Sequence, residues 1–162
     1  MKKTASIMVA LVFALLLVGC SNKNSGNEKK ENKHNTDHYI SIEKAAAVKT
    51  KMKKYEVKEI LGKPYKTINN QEEVYDNAVK DFSDILEIYN SIGGTIPTDD
   101  KAKIMTKLVD LKYTKFSIDD DVKIQQLQYK TKNKEDGKIK IENINFYFED
   151  NTLVSSSVKR IE

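Results

Sequence analysis

The spacing of apolar side chains changes once within residues 41–162 of this chain of 162 residues, and that change limits the folds it can adopt. From residue 41 to about residue 118, apolar residues recur every three or four positions, which is the period of a helix with one buried side. From about residue 122 they recur at every second position, as they do in strands. Helices followed by strands predict an α+β domain, with an antiparallel sheet that the helices cover on one face.

A pair of short helices is predicted at the start of this domain. Ser41 is suited to the N-cap position, and a modest apolar side follows it over residues 41–50. A second helix is predicted over 54–61, where three apolar residues fall on one side. Gly62 then provides a cap residue with positive φ, and Pro64 prevents the helix from continuing.

Two longer helices are predicted over 70–118, between the short pair and the sheet. Asn70 and Glu73 have capping-box spacing at the start of the first helix, Gly93 and Gly94 end it, and Thr98 caps the second. We expect their apolar stripes to pack in the core, an exposed groove that binds a partner being the alternative. The stripes are Val74, Ala78, Phe82, Ile85, Leu86, Tyr89 and Ile92 in the first helix, and Ile104, Met105, Leu108 and Leu111 in the second.

The C-terminal part predicts a sheet of about three strands. A polar turn is expected over 132–137, and Glu149, Asp150 and Asn151 form the next hairpin turn. The alternation shifts phase at Glu142 and Asn143, which predicts a β-bulge there. The predicted strands are 124–130, 138–148 and 152–158.

The first 19 residues predict a lipoprotein signal peptide. Two lysines precede the apolar run 5–19, which would span roughly 22 Å as a helix and is therefore shorter than the ~30 Å hydrocarbon core of a bilayer. The run ends in Leu17, Val18, Gly19 and Cys20, which resembles the lipobox of bacterial lipoproteins. This resemblance implies cleavage by signal peptidase II before Cys20 and a diacylglyceryl group on its thiol. We therefore expect anchoring at the extracytoplasmic face of the cell membrane.

The lipidated Cys20 is followed by a predicted tether. Residues 21–38 contain no apolar side chain, so they cannot offset the entropy cost of ordering and are expected to be disordered. A flexible coil of this length spans on the order of 25 Å. The single α+β domain then occupies residues 39–162.

The composition of this domain excludes several kinds of chemistry. Residues 41–162 contain neither His nor Cys, and their 22 basic and 21 acidic groups leave a net charge of only +1. Arg160 is the only arginine, so a nucleic-acid partner is not expected. Asp119, Asp120 and Asp121 lack the alternating carboxylates and the glycine of a calcium loop. We therefore expect no metal site and no cofactor.

Two segments resemble the SmpA/OmlA (BamE-like) and beta-lactamase-inhibitor-protein-like superfamily. The stretch 50–64 is similar to its GMT-x-x-EV-x-x-ILG-x-P signature, and 146–155 is similar to its last hairpin. Lys51 replaces the usual Gly, and Lys53 replaces the usual Thr or Ser. The resemblance implies two short helices on an antiparallel sheet and non-catalytic protein binding, as in small Gram-positive lipoproteins of this type. The matching motif residues are Met52, Glu56, Val57, Leu61, Gly62 and Pro64.

These features predict a non-catalytic protein-binding module on the cell surface. Its partner would be an unidentified envelope or surface protein, in envelope assembly, conjugation or phage exclusion. The alternative is a cell-wall enzyme that uses carboxylates alone. We expect the contact surface to be the exposed sheet face, with Tyr129 and Tyr147 as aromatic anchors.

Overall fold

A computed structural model describes residues 38–92, 98–135 and 137–159 of the chain. The described part has an α+β fold, as predicted, with four helices and a five-stranded mixed sheet. The predicted signal peptide, Cys20, most of the predicted tether, and the predicted helix end at Gly93 and Gly94 lie outside the described residues. In chain order the elements are β1 (Tyr39–Ile40), α1 (Ile42–Ala46), α2 (Lys54–Leu61), β2 (Lys66–Ile68), α3 (Gln71–Ser91), α4 (Thr98–Asp119), β3 (Ile124–Glu135), β4 (Lys138–Glu149) and β5 (Thr152–Ser156).

The helices α1 and α3 begin at the predicted caps, whereas Thr98, the predicted cap of α4, is the first residue of that helix. The Ser41 hydroxyl accepts from the backbone N–H of Lys44, although α1 ends at Ala46, earlier than predicted. The helix α2 has the predicted bounds, and Gly62 follows it with φ of 79°. The Asn70 side chain accepts from the backbone N–H of Glu73 and begins α3. Local cap chemistry therefore determines where these helices start.

The sheet departs from the prediction in strand number and direction. Besides the three predicted strands it contains β1, which pairs in parallel with β3 at Tyr39–Lys130, and β2, which pairs antiparallel with β3. The strand β3 also continues to Glu135, so the turn before β4 is shorter than expected. The strands β1 and β2 have two and three residues, too short to produce a periodic signal.

The predicted bulge at Glu142 and Asn143 is wrong, because β3 and β4 pair in continuous register through both residues. The irregularity lies between Tyr147 and Phe148 in the pairing of β4 with β5. The residues of β4 between 138 and 143 lie beyond the core and are exposed or half-buried. The order of apolar and polar residues in this stretch therefore does not indicate which side chains are buried.

Both faces of the sheet are covered, which corrects the prediction of one free face. On one face, α1 and α2 pack against Leu127, Tyr129 and Phe146. On the other face, α3 and α4 pack against Ile124 and Tyr147. The two long helices therefore close a second core rather than extending away from the sheet.

Candidate functional site

A buried polar network connects α3 to the sheet. Asp81 on α3 is only 7% exposed, and its Oδ2 accepts from the Tyr147 hydroxyl at 2.6 Å and from the Asn145 amide at 2.9 Å. The Asn145 side-chain oxygen accepts from Nε2 of Gln128 at 3.0 Å. The backbone N–H of Asn145 donates to Oγ of Ser157 at 2.8 Å. The network thus joins α3, β3, β4 and the chain after β5.

Burial dominates the electrostatics of this network. It raises the pKa of Asp81, although the hydrogen bonds from Tyr147 and Asn145 favour the carboxylate and oppose the rise. Burial and the neighbouring Asp81 carboxylate together raise the pKa of the Tyr147 hydroxyl. Tyr147 is therefore a hydrogen-bond donor to an acid that gains a proton more readily than an exposed aspartate does.

A cleft of about 380 Å³ opens above the network, between α3 and the outer part of β4. At its rim, Nζ of Lys80 and Nζ of Lys159 lie 3.2 and 3.4 Å from Asp84 Oδ2. Burial alone would raise the pKa of Asp84, but these two cations hold it below its ordinary value. The Lys140 ammonium likewise lowers the pKa of Glu142 on the opposite side of the cleft.

The cleft can accommodate a polar ligand, since carboxylate, ammonium and amide groups line it together. Its carboxylates differ in proton affinity, because burial raises the pKa of Asp81 whereas Lys140 lowers that of Glu142. Within the described residues, no three His, Cys, Asp or Glu side chains group closely enough to hold a metal ion.

The residues of the family-like motif have structural roles. Glu56 reaches back from the first turn of α2 and accepts from the backbone N–H of Lys53 at 2.5 Å, which explains a glutamate at this position. Val57 and Leu61 are buried in the core under the sheet. Gly62 follows with positive φ, and its carbonyl accepts from the Tyr129 hydroxyl at 3.1 Å.

The remaining motif residues lie at the two ends of α2. Met52 packs partly buried against the same core, and its carbonyl accepts from the backbone N–H of Leu153 at 2.8 Å. Pro64 comes two residues after the helix cap, before β2 begins at Lys66. The motif thus attaches α2 to the sheet and presents no converging functional groups.

Tyr129 and Tyr147 do not form the predicted contact surface. Both side chains are fully buried, on opposite faces of the sheet. Tyr129 packs edge-to-face on Phe146 at 5.7 Å between ring centroids, and burial raises its pKa to about 12. The prediction was wrong because helices cover both faces, leaving neither tyrosine available to a partner.

An exposed apolar stripe on α4 was not identified from the sequence. Met105, Val109, Tyr113 and Phe116 are between 48 and 61% exposed, and their spacing of four, four and three places them on one side of the helix. Met105 was predicted to be buried, but it belongs to this outer side, whereas Ile104, Leu108 and Leu111 form the inner side. The signal available in the sequence was the spacing of four, four and three residues between these side chains. This spacing indicates a second apolar stripe on α4 beside the buried one.

Basic side chains accompany this stripe. The helix α4 contains five lysines and four aspartates, and three of these aspartates lie at its two ends. The Lys112 ammonium lies 5.5 Å from the Phe116 ring centroid, within the range of a cation–π contact. The Tyr113 hydroxyl donates to Glu149 at 3.1 Å, which holds the ring at the edge of the stripe. The outer side of α4 is therefore apolar, with the Lys112 ammonium beside Phe116 and the Glu149 carboxylate at Tyr113.

The lipobox residues Leu17, Val18, Gly19 and Cys20 lie outside the described part of the chain. Among the described helices, none is long and apolar enough to cross a lipid bilayer. Neither the models of protein families nor the curated proteins nor the solved structures contain a match to this chain.

Proposed function

We propose that this chain is a lipoprotein anchored through Cys20 at the extracytoplasmic face of the cell membrane, and that its α+β domain binds a partner protein. The apolar run, the lipobox and the polar segment 21–38 support the anchor. The exposed stripe on α4 is the observation that carries the binding role. Contiguous exposed apolar side chains on a small domain are a common feature of protein interfaces.

The BamE-like resemblance supports the same function. Lys51 has φ of 73°, a conformation that favours glycine, and glycine is the residue that the family signature has at this position. Glu56 and Gly62 also occupy backbone environments that suit their places in the signature. The proposed family, with its non-catalytic protein-binding members, therefore agrees with the local backbone of the motif.

The chemistry of the α4 stripe defines the partner that would fit it. An apolar ridge with Lys112 beside Phe116 complements a protein surface that has an apolar groove and an acidic residue near the place of Phe116. Phe116 is the largest wholly apolar side chain of the stripe, and its full burial would contribute ~1.5–3 kcal/mol. Tyr129 and Tyr147, being buried, have no part in this contact.

Binding can be tested by photo-crosslinking in intact cells, with a crosslinking amino acid at Phe116 and, as matched control, at the exposed Tyr55 on α2. A discrete adduct is expected from position 116 only. With the crosslinked protein purified, Phe116→Ser should weaken its affinity about tenfold or more, while Tyr55→Ser leaves it unchanged. Equal affinities for the two variants would contradict binding through α4.

The anchor is tested separately from binding. Incorporation of labelled lipid into the wild-type chain, but not into Cys20→Ser, is expected from the lipobox. Equal labelling of the two chains would refute the anchor and leave the binding result untouched.

The cleft supports a second candidate, a cell-wall enzyme that uses carboxylates alone. The observation favouring it is the polar cleft, which is bordered by the carboxyl-bearing residues Asp81, Asp84 and Glu142. Hydrolysis of cell-wall glycan by the purified chain, lost in Glu142→Gln, would favour this candidate over the binding module.

A further inference from the structure

The outer part of the hairpin formed by β3 and β4, residues 130–135 and 138–143, forms an arm whose inner end lies beside α3 at the cleft. Strand alternation assigns its side chains to two faces. Gln128 and Asn145 face α3, so Lys130, Lys132 and Lys134 on β3 continue that same face. Directly opposite them on β4 lie Asn143, Ile141 and Ile139. We call this side of the arm the lysine–isoleucine face.

The two faces of the arm differ in charge. On the lysine–isoleucine face, all the charged side chains that the structure describes are lysines. Glu142 lies on the opposite face, where it accepts from Asn133 at 2.9 Å and pairs with Lys140 at 3.0 Å. The alternation of the hairpin thus separates a face whose charged side chains are all lysines from a mixed one. At the inner end of the arm, Ile141, Glu142 and Asn143 also line the cleft that contains Asp84.

The lysine–isoleucine face is exposed and partly organised. Ile139 is 70% exposed and Ile141 is 52% exposed, although both are aliphatic. The Lys130 ammonium lies 3.7 Å from the Tyr65 ring centroid, and the Lys132 ammonium lies 3.8 Å from that of Tyr39. Tyrosine rings, aliphatic side chains and ammonium groups are the combination that binds at a membrane interface.

The chain joins the domain beside this face. The first strand, β1, begins at Tyr39 and pairs with β3 at Lys130 and Thr131, at the base of the arm. The segment that links Cys20 to the domain therefore ends next to Lys132, whose ammonium covers the Tyr39 ring. The composition of that segment predicts a flexible coil, and a coil of this length spans on the order of 25 Å. An anchored domain would therefore stay close to the lipid surface.

We propose that the lysine–isoleucine face of the arm lies on the membrane and binds the headgroups of anionic lipids. The proposal rests on the proposed Cys20 anchor, which holds the arm near the bilayer. The lysines are drawn to a negative surface, and Ile139 and Ile141 enter the boundary between headgroups and acyl chains. This arrangement orients the domain on the membrane.

The test uses the mature lipidated chain in vesicles of phosphatidylcholine, with or without phosphatidylglycerol. Because Cys20 is acylated, a fluorophore can be attached to a single new thiol at Ile139→Cys on the arm or, as control, at Val109→Cys on α4. Acrylamide, a neutral quencher, reports the accessibility of each fluorophore. Several-fold weaker quenching is expected at position 139 in vesicles with phosphatidylglycerol, and strong quenching at position 109 in both.

Charge reversal makes the test specific. Lys132→Glu with Lys134→Glu should restore full quenching at position 139, while thermal unfolding confirms that the domain remains folded. Equal quenching at positions 139 and 109, or shielding that does not need phosphatidylglycerol, would overturn the proposal. The mass of the purified protein reports acylation of Cys20 separately: a missing acyl mass refutes the anchor, whereas acylated protein with an unshielded arm refutes only the lipid-facing arm.

Discussion

Removing the Tyr147 hydroxyl should destabilise the domain more than removing the Tyr129 hydroxyl. Both rings are buried in the sheet, so the substitution to Phe leaves the packing of each ring in place. The Tyr147 hydroxyl donates to the Asp81 carboxylate at 2.6 Å, whereas the Tyr129 hydroxyl donates to the Gly62 carbonyl at 3.1 Å. The two variants therefore compare a hydrogen bond to a buried acid with one to a neutral acceptor.

The expected losses of stability differ because the acceptors of the two hydrogen bonds differ. A hydrogen bond to a charged group contributes about 1.5–3 kcal/mol to the free energy of unfolding, and a neutral one about 0.5–1.5 kcal/mol. Tyr147→Phe also leaves Asp81, which is almost fully buried, with only the Asn145 amide and the Ser157 side chain as hydrogen-bond partners. We expect a loss of about 2–3 kcal/mol for Tyr147→Phe and about 1 kcal/mol for Tyr129→Phe.

Urea denaturation at neutral pH measures both losses, and unchanged m-values would show that the two variants unfold in the same way. The loss for Tyr147→Phe should shrink as the pH falls, because a protonated Asp81 no longer needs a donor for a buried charge. A double-mutant cycle with Asp81→Asn should give coupling of about 1–2 kcal/mol. Losses that are equal for the two tyrosine variants, or that do not vary with pH, would refute a buried charged hydrogen bond at Asp81.

Two further predictions concern single positions. The raised pKa of Asp81 means that the folded state holds its proton at pH values where the unfolded chain has lost it. Asp81 should therefore add stability as the pH falls from its folded pKa towards its ordinary value near 3.8, and comparison with Asp81→Asn in urea titrations should show this slope vanish. Gly62→Ala should lower the free energy of unfolding by about 1–3 kcal/mol, measured by thermal unfolding, because φ is 79° and ψ is −156° at this residue. The added Cβ would also lie 3.0 Å from His38 Nε2. Gly137→Ala, with similar φ and nothing within 4 Å of its Cβ, should cost less, and an equal cost would exclude a role for His38.

Local chemistry was sufficient to predict the helices of the domain. The bounds of α2 and the positive φ of Gly62 were confirmed, as was the cap at Asn70. Each depends on residues within one or two turns of chain, where side-chain hydrogen bonds and steric limits act directly. Strand alternation acts just as locally, and in the structure it places Leu127 with Tyr129 on one face and Tyr147 on the other.

The surfaces could not be predicted in this way. Alternation shows which side chains share a face, but not whether a distant helix covers that face. Tyr147 was assigned to a free surface because the packing of α3 and α4 on the sheet depends on contacts 40 to 70 residues apart, such as Asp81 with Tyr147 and Thr114 with Ser155. The Asp81 network and the cleft above it likewise combine residues from four segments, none of which has a distinctive motif.

The same long-range contacts explain why the stripe on α4 remains outside. Thr114 and Ser155 share a hydrogen bond of 2.6 Å in the core, and the Lys107 ammonium donates to the Val158 carbonyl at 2.6 Å. These polar contacts hold the inner side of α4 against β5 and the chain that follows it. Turning the helix to bury Phe116 would break these contacts and expose Leu111, which is fully buried. The apolar outer side is therefore a fixed feature of the folded domain. Because the arm lies on other strands, a lipid contact there leaves α4 free for a protein partner.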